Sequence, residues 1–426
     1  MDERPWVKEE NLQKDSAPSL RTEEDKNVES EKEENLQTDR ERAENRKTVR
    51  RVFGRIALGL SAMMIAVYIL NEIVFGIMDS ILGGVRNFNV VFLVSSLILY
   101  FAGIVTYLVL SKWVPSASEH RGALSLPEAL NGDSRHKLGN DSRHNLDNDS
   151  SQNLRHHISN DIGRLERTKQ MTEPSRPKKL TLGMGGKLVV ICLALGFIFN
   201  LITMGISYGI NFFNHTREVR EITQQYLETG YGVIPDPPNF MEADPLLEMV
   251  GGINPILAFL LVVVTTSIFE EMIFRKLLYD KLIVFGGKVF IIVSSLLFAL
   301  FHLNYRQLIY TFVVGLIFAG VMYYTQKVSY CILLHMAFNS FGTLSMYVQG
   351  MSEMILGIYG TVALGLVVTG IVFLIMGIVS AKRWAIFDPA QIEVKKRWDI
   401  FLNPGMIIFI ILTIAGMIGN ALYFAT

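Results

Sequence analysis

The sequence of 426 residues is poor in charged residues and in cysteine. Lys, Arg, Asp and Glu together make up 19% of the chain, whereas hydrophobic residues make up 50%. Its two cysteines, Cys192 and Cys331, lie in apolar segments, so we interpret both as buried, reduced thiols that pack as small hydrophobic side chains. The first 51 residues lack the apolar core of a secretory signal peptide, and we therefore exclude that interpretation of them.

The charges that do occur are concentrated in two long polar segments, residues 1–51 and 112–186. Most of the remaining chain forms apolar runs, and about 20 apolar helical residues cover the roughly 30 Å hydrocarbon core of a bilayer. The composition therefore predicts an all-α fold, a polytopic transmembrane helical bundle of about nine spans (eight to nine). The predicted spans are 52–76, 90–111, 187–213, 253–274, 286–304, 307–325, 328–348, 354–380 and 405–425.

This pattern divides the chain into six regions. They are a disordered charged N-terminal arm (1–51), the first two transmembrane helices (52–111), a polar, repeat-containing cytoplasmic linker (112–186), the third transmembrane helix with an extracytoplasmic loop (187–252), a helical core that carries the chemistry (253–348) and C-terminal transmembrane helices (349–426).

The basic residues between the spans favour one orientation in the membrane, because Lys and Arg concentrate in cytoplasmic loops. With the N-terminus inside and the C-terminus outside, every basic cluster is cytoplasmic, and the acidic, proline-rich segment Asp236–Glu248 is not. The chain carries no organelle address, so we expect a multi-pass protein of a cell membrane, the bacterial inner membrane. The basic clusters are Arg46–Arg51, Arg176–Lys179, Arg275–Lys288, Gln326–Lys327, Lys382–Arg383 and Lys395–Arg397.

The two polar segments are predicted to be disordered over residues 1–45 and 114–180. Residues 1–45 contain almost no large apolar side chain, so they cannot bury enough surface to offset the entropy lost on ordering. The second segment repeats an octapeptide that begins at Asp133, Asp141 and Asp149. Its histidines could form a metal-binding tract, but nothing fixes their geometry, and we favour a tandem-duplicated linker. They are His136, His144, His156 and His157.

Two histidines lie inside apolar segments, where ionisable side chains are costly and therefore indicate function. His302 ends the pattern Phe298-Ala-Leu-Phe-His302, and His335 begins the pattern His335-Met-Ala-Phe-Asn339. Residues four apart share one face of a helix. The second pattern therefore directs an imidazole and a carboxamide to one place. Each histidine alone also fits a simpler role as a hydrogen-bonding group between helices.

A third pattern, Glu270-Glu271-Met-Ile-Phe-Arg275, supplies carboxylates. Glu271 and Arg275 are four residues apart, which predicts an ion pair within the helix. Glu270 projects about 100° away around the helix and is free for other chemistry. A carboxylate shielded from bulk water accepts a proton more readily, as a general base must. Alone, this pattern also fits a cytoplasmic helix end whose charges reach water.

The spacing of these residues predicts that they meet at one depth. If the fourth and fifth spans turn at Phe285–Gly287, Glu270 and His302 each lie sixteen residues from Gly286, or about 24 Å of helix. An antiparallel hairpin then brings them level. Hydropathy alone instead ends the fourth span near residue 274 and separates the two side chains across the membrane. We therefore expect the fourth helix to continue beyond Arg275.

Together the three patterns resemble the motifs of the CPBP family, the CAAX-processing and bacteriocin-processing membrane proteases related to the type II CAAX prenyl endopeptidase. The family motifs Glu-Glu-x-x-x-Arg, Phe-x-x-x-His and His-x-x-x-Asn match Glu270/Glu271/Arg275, Phe298/His302 and His335/Asn339. The resemblance covers about residues 253–345. The chain departs from it where Thr265-Thr-Ser-Ile-Phe269 replaces a frequent proline and where Lys276, rather than a small residue, follows the arginine. These departures leave the subfamily and the substrate open.

The resemblance implies an intramembrane endopeptidase that hydrolyses a peptide bond in a membrane-associated or peptide substrate. Glu270 and His302 would activate a water molecule, and His335 and Asn339 would form the oxyanion hole. Glu271 and Arg275 would shape the site and balance its charge. Members have also been described as metalloproteases, in which case Glu270, His302 and His335 would hold zinc. Because the sequence contains no His-Glu-x-x-His helix, we favour catalysis without a cofactor and keep zinc as the alternative.

Two other functions fit the same residues. A non-catalytic scaffold or immunity protein could share the fold and bind a peptide or another membrane protein. A transporter also carries intramembrane charges, but no inverted repeat relates the two halves of this chain. We expect the partners to be the lipid bilayer and a peptide or membrane-protein substrate, and not nucleic acid; the sequence leaves the oligomeric state open.

Overall fold

The structure, a computed structural model, describes residues 23–82, 88–116, 177–233, 252–380, 392, 394 and 397–423. No strand occurs in these ranges, and the predicted all-α fold class is confirmed. The helices are α1 (Glu23–Leu82), α2 (Phe88–Trp113), α3 (Leu182–Thr229), α4 (Pro255–Phe285), α5 (Gly287–Phe301), α6 (Tyr305–Thr325), α7 (Val328–Val348), α8 (Glu353–Ser380), α9 (Trp398–Phe401) and α10 (Pro404–Tyr423).

Within the described ranges, eight helices are long and apolar enough to cross a membrane, namely all but α5 and α9. The chain is therefore a multi-pass membrane protein, within the predicted eight to nine spans. The fifth predicted span, 286–304, corresponds to α5, which has only 15 residues. Such a helix rises about 22 Å, less than the roughly 30 Å of the hydrocarbon core.

The chain divides into two units, residues 1–48 and 49–426. α1 begins at Glu23, within the first unit, so residues 23–51 are helical where the composition led us to expect a disordered arm. The physical reason is that Glu, Lys, Gln and Arg cannot build a core but have high helix propensity. The ion pair between Arg42 and Asp39, at 2.9 Å, adds local support. Residues 1–22 lie outside the described residues.

Most of the polar insert, including its octapeptide repeat and its histidines, also lies outside the described residues. Only its ends are described. Residues 112–113 belong to α2 and residues 114–116 follow it, whereas residues 177–181 precede α3 and residues 182–186 belong to it. The disordered linker and the metal-binding tract both stay predictions.

Helices α4 and α5 form the predicted antiparallel hairpin. α4 continues past Arg275 to Phe285, and the chain turns at Gly286, whose φ of 101° is a conformation that glycine adopts without steric cost. α4 spans 31 residues, or about 46 Å, so it extends beyond the hydrocarbon core. The predicted turn and the continuation of the helix beyond Arg275 are both confirmed.

The main core of the unit 49–426 joins α1–α7, α9 and α10. Its buried side chains include Phe53 of α1, Phe274 of α4 and Phe409 of α10. Cys192 and Cys331 are buried and free, as predicted. Large apolar side chains are exposed along α1, α3 and α8 instead, as expected of helices whose outer faces contact lipid.

Basic side chains cap the carboxyl end of α2. Lys281 of α4 is 4% exposed, and its Nζ donates to the carbonyl oxygens of Ser111 at 2.9 Å and Val114 at 2.6 Å. Arg55 of α1 donates through Nη1 to the carbonyl oxygen of Trp113 at 2.8 Å. The last carbonyls of a helix lack partners within it and form the negative end of its dipole. The two cations therefore tie α1, α2 and α4 together.

We expect Lys281→Met to lower the stability of the fold by about 2–3 kcal/mol, because two carbonyl oxygens lose a charged donor in a buried place. Thermal unfolding in detergent micelles, followed by the loss of helical circular dichroism, measures the change. Lys276→Met is the matched control, since the side chains of Lys276 and its partner Asp280 are each 41% exposed. Exposed pairs contribute little, so equal shifts in both variants would contradict the capping role of Lys281.

Candidate active site

The predicted site residues meet between α4, α5, α6 and α7. Glu270, His302, His335 and Asn339 line one pocket of about 250 Å³. Glu271 and Arg275 are completely buried and contact the pocket through His335 and Phe298 rather than lining it. The structure thus brings all six residues to the same part of the bundle.

Glu271 connects the buried part of the site. Its Oε2 lies 3.2 Å from Nε of Arg275, which confirms the predicted ion pair within the helix. Its Oε1 accepts a 2.9 Å hydrogen bond from Nδ1 of His335. The three side chains are at most 5% exposed. Because a buried charge is very costly unless it is paired, each of these groups fixes the position of the other two.

Aromatic rings enclose the guanidinium of Arg275. It lies 4.3 Å from the centre of the Phe298 ring and 5.6 Å from that of Phe318, a favourable arrangement for a cation. A Cβ atom added to Gly315 would come within 3.3–3.4 Å of Ser295, Phe298 and Nη2 of Arg275. Glycine at this position lets α6 approach the arginine. Phe298, of the Phe-x-x-x-His motif, therefore stabilises the charge of Arg275, of the Glu-Glu-x-x-x-Arg motif.

Glu270 lines the pocket and has an oxygen that accepts no hydrogen bond. Its side chain is 19% exposed, and its Oε2 lies 3.7 Å from Nε2 of His335 without a hydrogen-bond partner. Since Nδ1 of His335 donates to Glu271, Nε2 carries a hydrogen only when the ring is protonated. With His335 neutral, the two carboxylates and Arg275 leave one net negative charge. One added proton on either side chain would make the cluster neutral.

The backbone of α5 orients the ring of His302. Nδ1 lies 2.8 Å from the carbonyl oxygen of Phe298, and because a carbonyl can only accept, Nδ1 is the donor. In the neutral ring Nε2 then has a lone pair. The Phe298 ring packs edge-on against His302 with centroids 4.7 Å apart, which restricts its rotation. His302 can therefore accept a proton or a hydrogen bond from water in the pocket.

Asn339 is anchored to α4 through its amide nitrogen. Nδ2 donates to the carbonyl oxygen of Val262 at 3.2 Å and to Oγ of Ser267 at 3.4 Å. Both hydrogens have acceptors, so Asn339 donates to a bound molecule only when one of these bonds opens. The longer bond, to Ser267, is the weaker one.

The zinc alternative requires a ligand set, and the geometry does not supply one. Among the residues that the structure describes, no group of three or more His, Cys, Asp or Glu side chains is placed to hold a metal ion. Glu270, His302 and His335 line the same pocket without being gathered into such a group. Metal dependence stays a prediction.

Wide helical turns beside the glutamates were not predicted. α4 is π-helical over Phe259–Thr265 and over Met272–Leu277, on either side of Thr266–Glu271. The hydroxyls of Thr265 and Thr266 donate five residues back, to the carbonyl oxygens of residues 260 and 261. Thr265 and Thr266, which stand where the family often has a proline, were the sequence feature that could have indicated these turns. Such turns are frequent at functional sites.

A residue outside the motifs holds the first π-helical segment, Phe259–Thr265, in place by hydrogen bonds. The hydroxyl of Tyr100, on α2, donates to the carbonyl oxygen of Leu261 at 2.7 Å and lies 3.0 Å from Oγ1 of Thr266. Its ring stacks on Phe269 with centroids 5.0 Å apart. α2 thereby fixes the part of α4 that immediately precedes Glu270.

Five polar residues of the pocket also escaped the sequence analysis. Gln307 and Thr311, four apart on the apolar helix α6, were visible as a polar pair at helical spacing. The five are Thr266, Gln307, Tyr310, Thr311 and Thr343.

Comparison with known proteins finds one family model that matches the part of the chain with the motifs. Residues 252–341, which contain all six predicted residues, match the family model described as type II CAAX prenyl endopeptidase Rce1-like. This segment is similar to the Rce1-like family. The match confirms the resemblance inferred from the motifs and supports a protease function at the level of the family. No curated protein and no solved structure matches the chain.

The buried ion pair of the Rce1-like segment leads to a stability prediction. We expect Arg275→Met to destabilise the fold by about 3–5 kcal/mol, because it leaves the carboxylate of Glu271 buried with only His335 as partner. The double variant Glu271→Gln/Arg275→Met removes both charges and should recover part of this loss. Thermal unfolding in detergent compares the variants. A double variant that is less stable than Arg275→Met alone would contradict the pairing of these two charges.

Proposed function

We propose that the chain is an intramembrane endopeptidase that hydrolyses a peptide bond in a membrane-associated or peptide substrate. The observation that carries the proposal is the shared pocket. Glu270, His302, His335 and Asn339 come from three apolar helices and line one cavity, within a segment that matches an endopeptidase family. Ionisable groups that converge in this way inside a membrane helix bundle are costly and therefore point to chemistry.

In the proposed reaction, Glu270 is the general base. Its buried Oε2 has no partner and can accept a proton from a water molecule, while Nε2 of His302 accepts a second hydrogen bond and orients that water. As the proton moves to Glu270, the water oxygen forms a bond to the carbonyl carbon of the substrate. The carbonyl oxygen becomes an oxyanion.

His335 and Asn339 are the proposed oxyanion donors. A protonated His335 donates through Nε2, and Glu271 holds the ring through Nδ1; Asn339 donates after opening its bond to Ser267. The C–N bond then breaks, and the proton held by Glu270 passes to the leaving nitrogen. One water is consumed, and a carboxylic acid and an amine are released. Fixed donors of this kind are most effective where water is excluded.

The basic residues at the carboxyl end of α2 support the proposed orientation of the protein in the membrane. Lys281 and Arg55 lie at the end of the bundle near the hairpin turn, together with the carboxyl end of α2. Basic residues favour the cytoplasmic side, so this end is proposed to be cytoplasmic, as is the N-terminus. Glu270 lies eleven residues before Lys281, or about 16 Å along α4, which puts the pocket well inside the membrane. The proposed location is a cell membrane, most simply the bacterial inner membrane.

A graded pair of variants tests the assigned roles. Glu270→Gln keeps the size of the side chain and removes the base, so turnover should be abolished while the fold survives. Asn339→Ala should lower kcat by about 10²–10³-fold, the usual effect of losing one oxyanion donor. Comparative proteomics of membranes from wild-type and Glu270→Gln cells identifies peptides that change in length, and purified protein then cleaves the corresponding substrate.

Glu353→Gln, at the exposed start of α8, is the control for the loss of a carboxylate, and its turnover should equal that of the wild type. Unchanged peptide lengths in Glu270→Gln cells, and no cleavage by purified wild-type protein, would favour the non-catalytic scaffold or immunity function instead.

Metal removal distinguishes the proposed mechanism without a metal from the zinc-dependent alternative. If Glu270 and His302 act on water directly, a chelator should leave turnover unchanged, and purified protein should contain no stoichiometric metal. Metal analysis and activity are measured on the same preparation. One zinc per chain, lost together with activity in His302→Ala and restored by added metal, would overturn the water mechanism and leave the protease assignment standing.

A further inference from the structure

One residue of the pocket has a buried polar group that the proposed mechanism does not use. Thr343 lies on α7 one turn beyond Asn339 and lines the same pocket. The residue is 7% exposed, and its hydroxyl oxygen is buried without a hydrogen-bond partner. His335, Asn339 and Thr343 follow one another at intervals of four, so they share one face of the helix.

This hydroxyl differs from those of other threonines in the helices. Thr203, Thr325 and Thr361 each donate to the carbonyl oxygen four residues earlier. Thr311, in the wall of the same pocket, does so as well. A buried hydroxyl without a partner costs free energy. Thr343 carries this cost in a pocket wall, where a bound molecule can supply the missing partner.

We propose that Thr343 hydrogen-bonds the backbone of an extended peptide substrate, two residues from the bond that is cleaved. The inference rests on the proposed function. Four residues of helix rise about 6 Å, and two residues of an extended chain span about 6.6 Å, with their backbone groups pointing the same way. A peptide that lies along α7 with its scissile carbonyl at Asn339 therefore presents the next equivalent backbone group to Thr343.

The face of α7 between these two residues leaves room for such a chain. Gly342 lines the pocket, and a Cβ atom added there would meet nothing within 4 Å. The wall is therefore open where a peptide backbone has to pass.

The inference narrows the class of substrate. A continuous transmembrane helix has its backbone groups bonded internally and cannot offer one to Thr343. The substrate is therefore a peptide, or a segment at the end of a membrane helix, that is extended over at least two residues beside the cleaved bond.

The test uses the full chain in proteoliposomes and a randomised library of ten-residue quenched-fluorescent peptides. Thr343→Val replaces the hydroxyl by a methyl group of similar shape. We expect it to raise KM about tenfold for the best peptide, with kcat within about twofold, as for the loss of one binding hydrogen bond. Thr343→Ser, which keeps the hydroxyl, should restore KM. Because the lost hydroxyl has no partner in the protein, the melting temperature should not fall.

Ser340→Ala is the matched control on the same helix. The Ser340 hydroxyl already donates to the carbonyl oxygen of Met336 at 2.7 Å, so KM should stay unchanged. A rise in KM of the same size in Ser340→Ala and Thr343→Val would overturn the inference.

Backbone replacement in the peptide locates the contact. Each amide of the best peptide is replaced in turn by a trans-alkene, which keeps the shape of the backbone and removes the carbonyl oxygen. Replacement two residues from the scissile bond should raise the KM of the wild type. It should have almost no further effect on the KM of Thr343→Val, since one interaction cannot be lost twice. Additive losses at that position, or an unchanged KM in Thr343→Val, would overturn the inference.

A binding measurement keeps this inference separate from the proposed function. Fluorescence anisotropy of a dye-labelled library follows binding to Glu270→Gln and to Glu270→Gln/Thr343→Val, without any need for turnover. Binding weakened about tenfold by the second substitution supports the contact, even if the wild type cleaves nothing and the protease proposal fails. Equal binding by the two variants would overturn the contact, whether or not the wild type is active.

Discussion

The shared carboxylate of Glu271 is the interaction on which the rest of the site depends. A charge completely removed from water is tolerated only when other groups surround it, and here these groups come from two helices: Arg275 from α4 and His335 from α7. Arg275 in turn needs the rings of Phe298 and Phe318, from α5 and α6. The requirement to neutralise one carboxylate thus fixes the relative positions of all four helices around the pocket.

This constraint separates the two neighbouring glutamates into different roles. Glu271 has no freedom, because both of its oxygens face cations or donors in the interior. Glu270, one residue earlier, is turned toward the pocket and keeps an oxygen without a partner. The rigid pair formed by Glu271 and Arg275 supports the ring of His335. Among the residues that the structure describes, this ring is the one group within ion-pair distance of Glu270. Structural and chemical functions are therefore divided between adjacent residues of one motif.

Much of the site could be predicted from the sequence, because its residues follow helix geometry. Spacings of four gave the Glu271–Arg275 pair, and equal distances of sixteen residues from Gly286 placed Glu270 and His302 level in a hairpin. The match to the Rce1-like family model covers the same motifs. The short length of α5, the helix from Glu23 onward and the polar wall of α6 were not foreseen, since hydropathy records neither helix packing nor the helix propensity of charged residues. Tyr100 was out of reach for another reason: its partner Leu261 is 161 residues away in sequence.

The two π-helical segments of α4 have a consequence for how the chain can vary. A π-helical turn contains more residues than an α-helical turn, and one added residue rotates everything beyond it by about 100° around the axis. The direction of Glu270 relative to the start of α4 at Pro255 is therefore set by the number of residues in Phe259–Thr265, and not only by their identity. Deleting a single residue there could leave an equally apolar and equally helical span, yet it would turn the carboxylate away from the histidines. Along this helix, length itself carries part of the information that specifies the site.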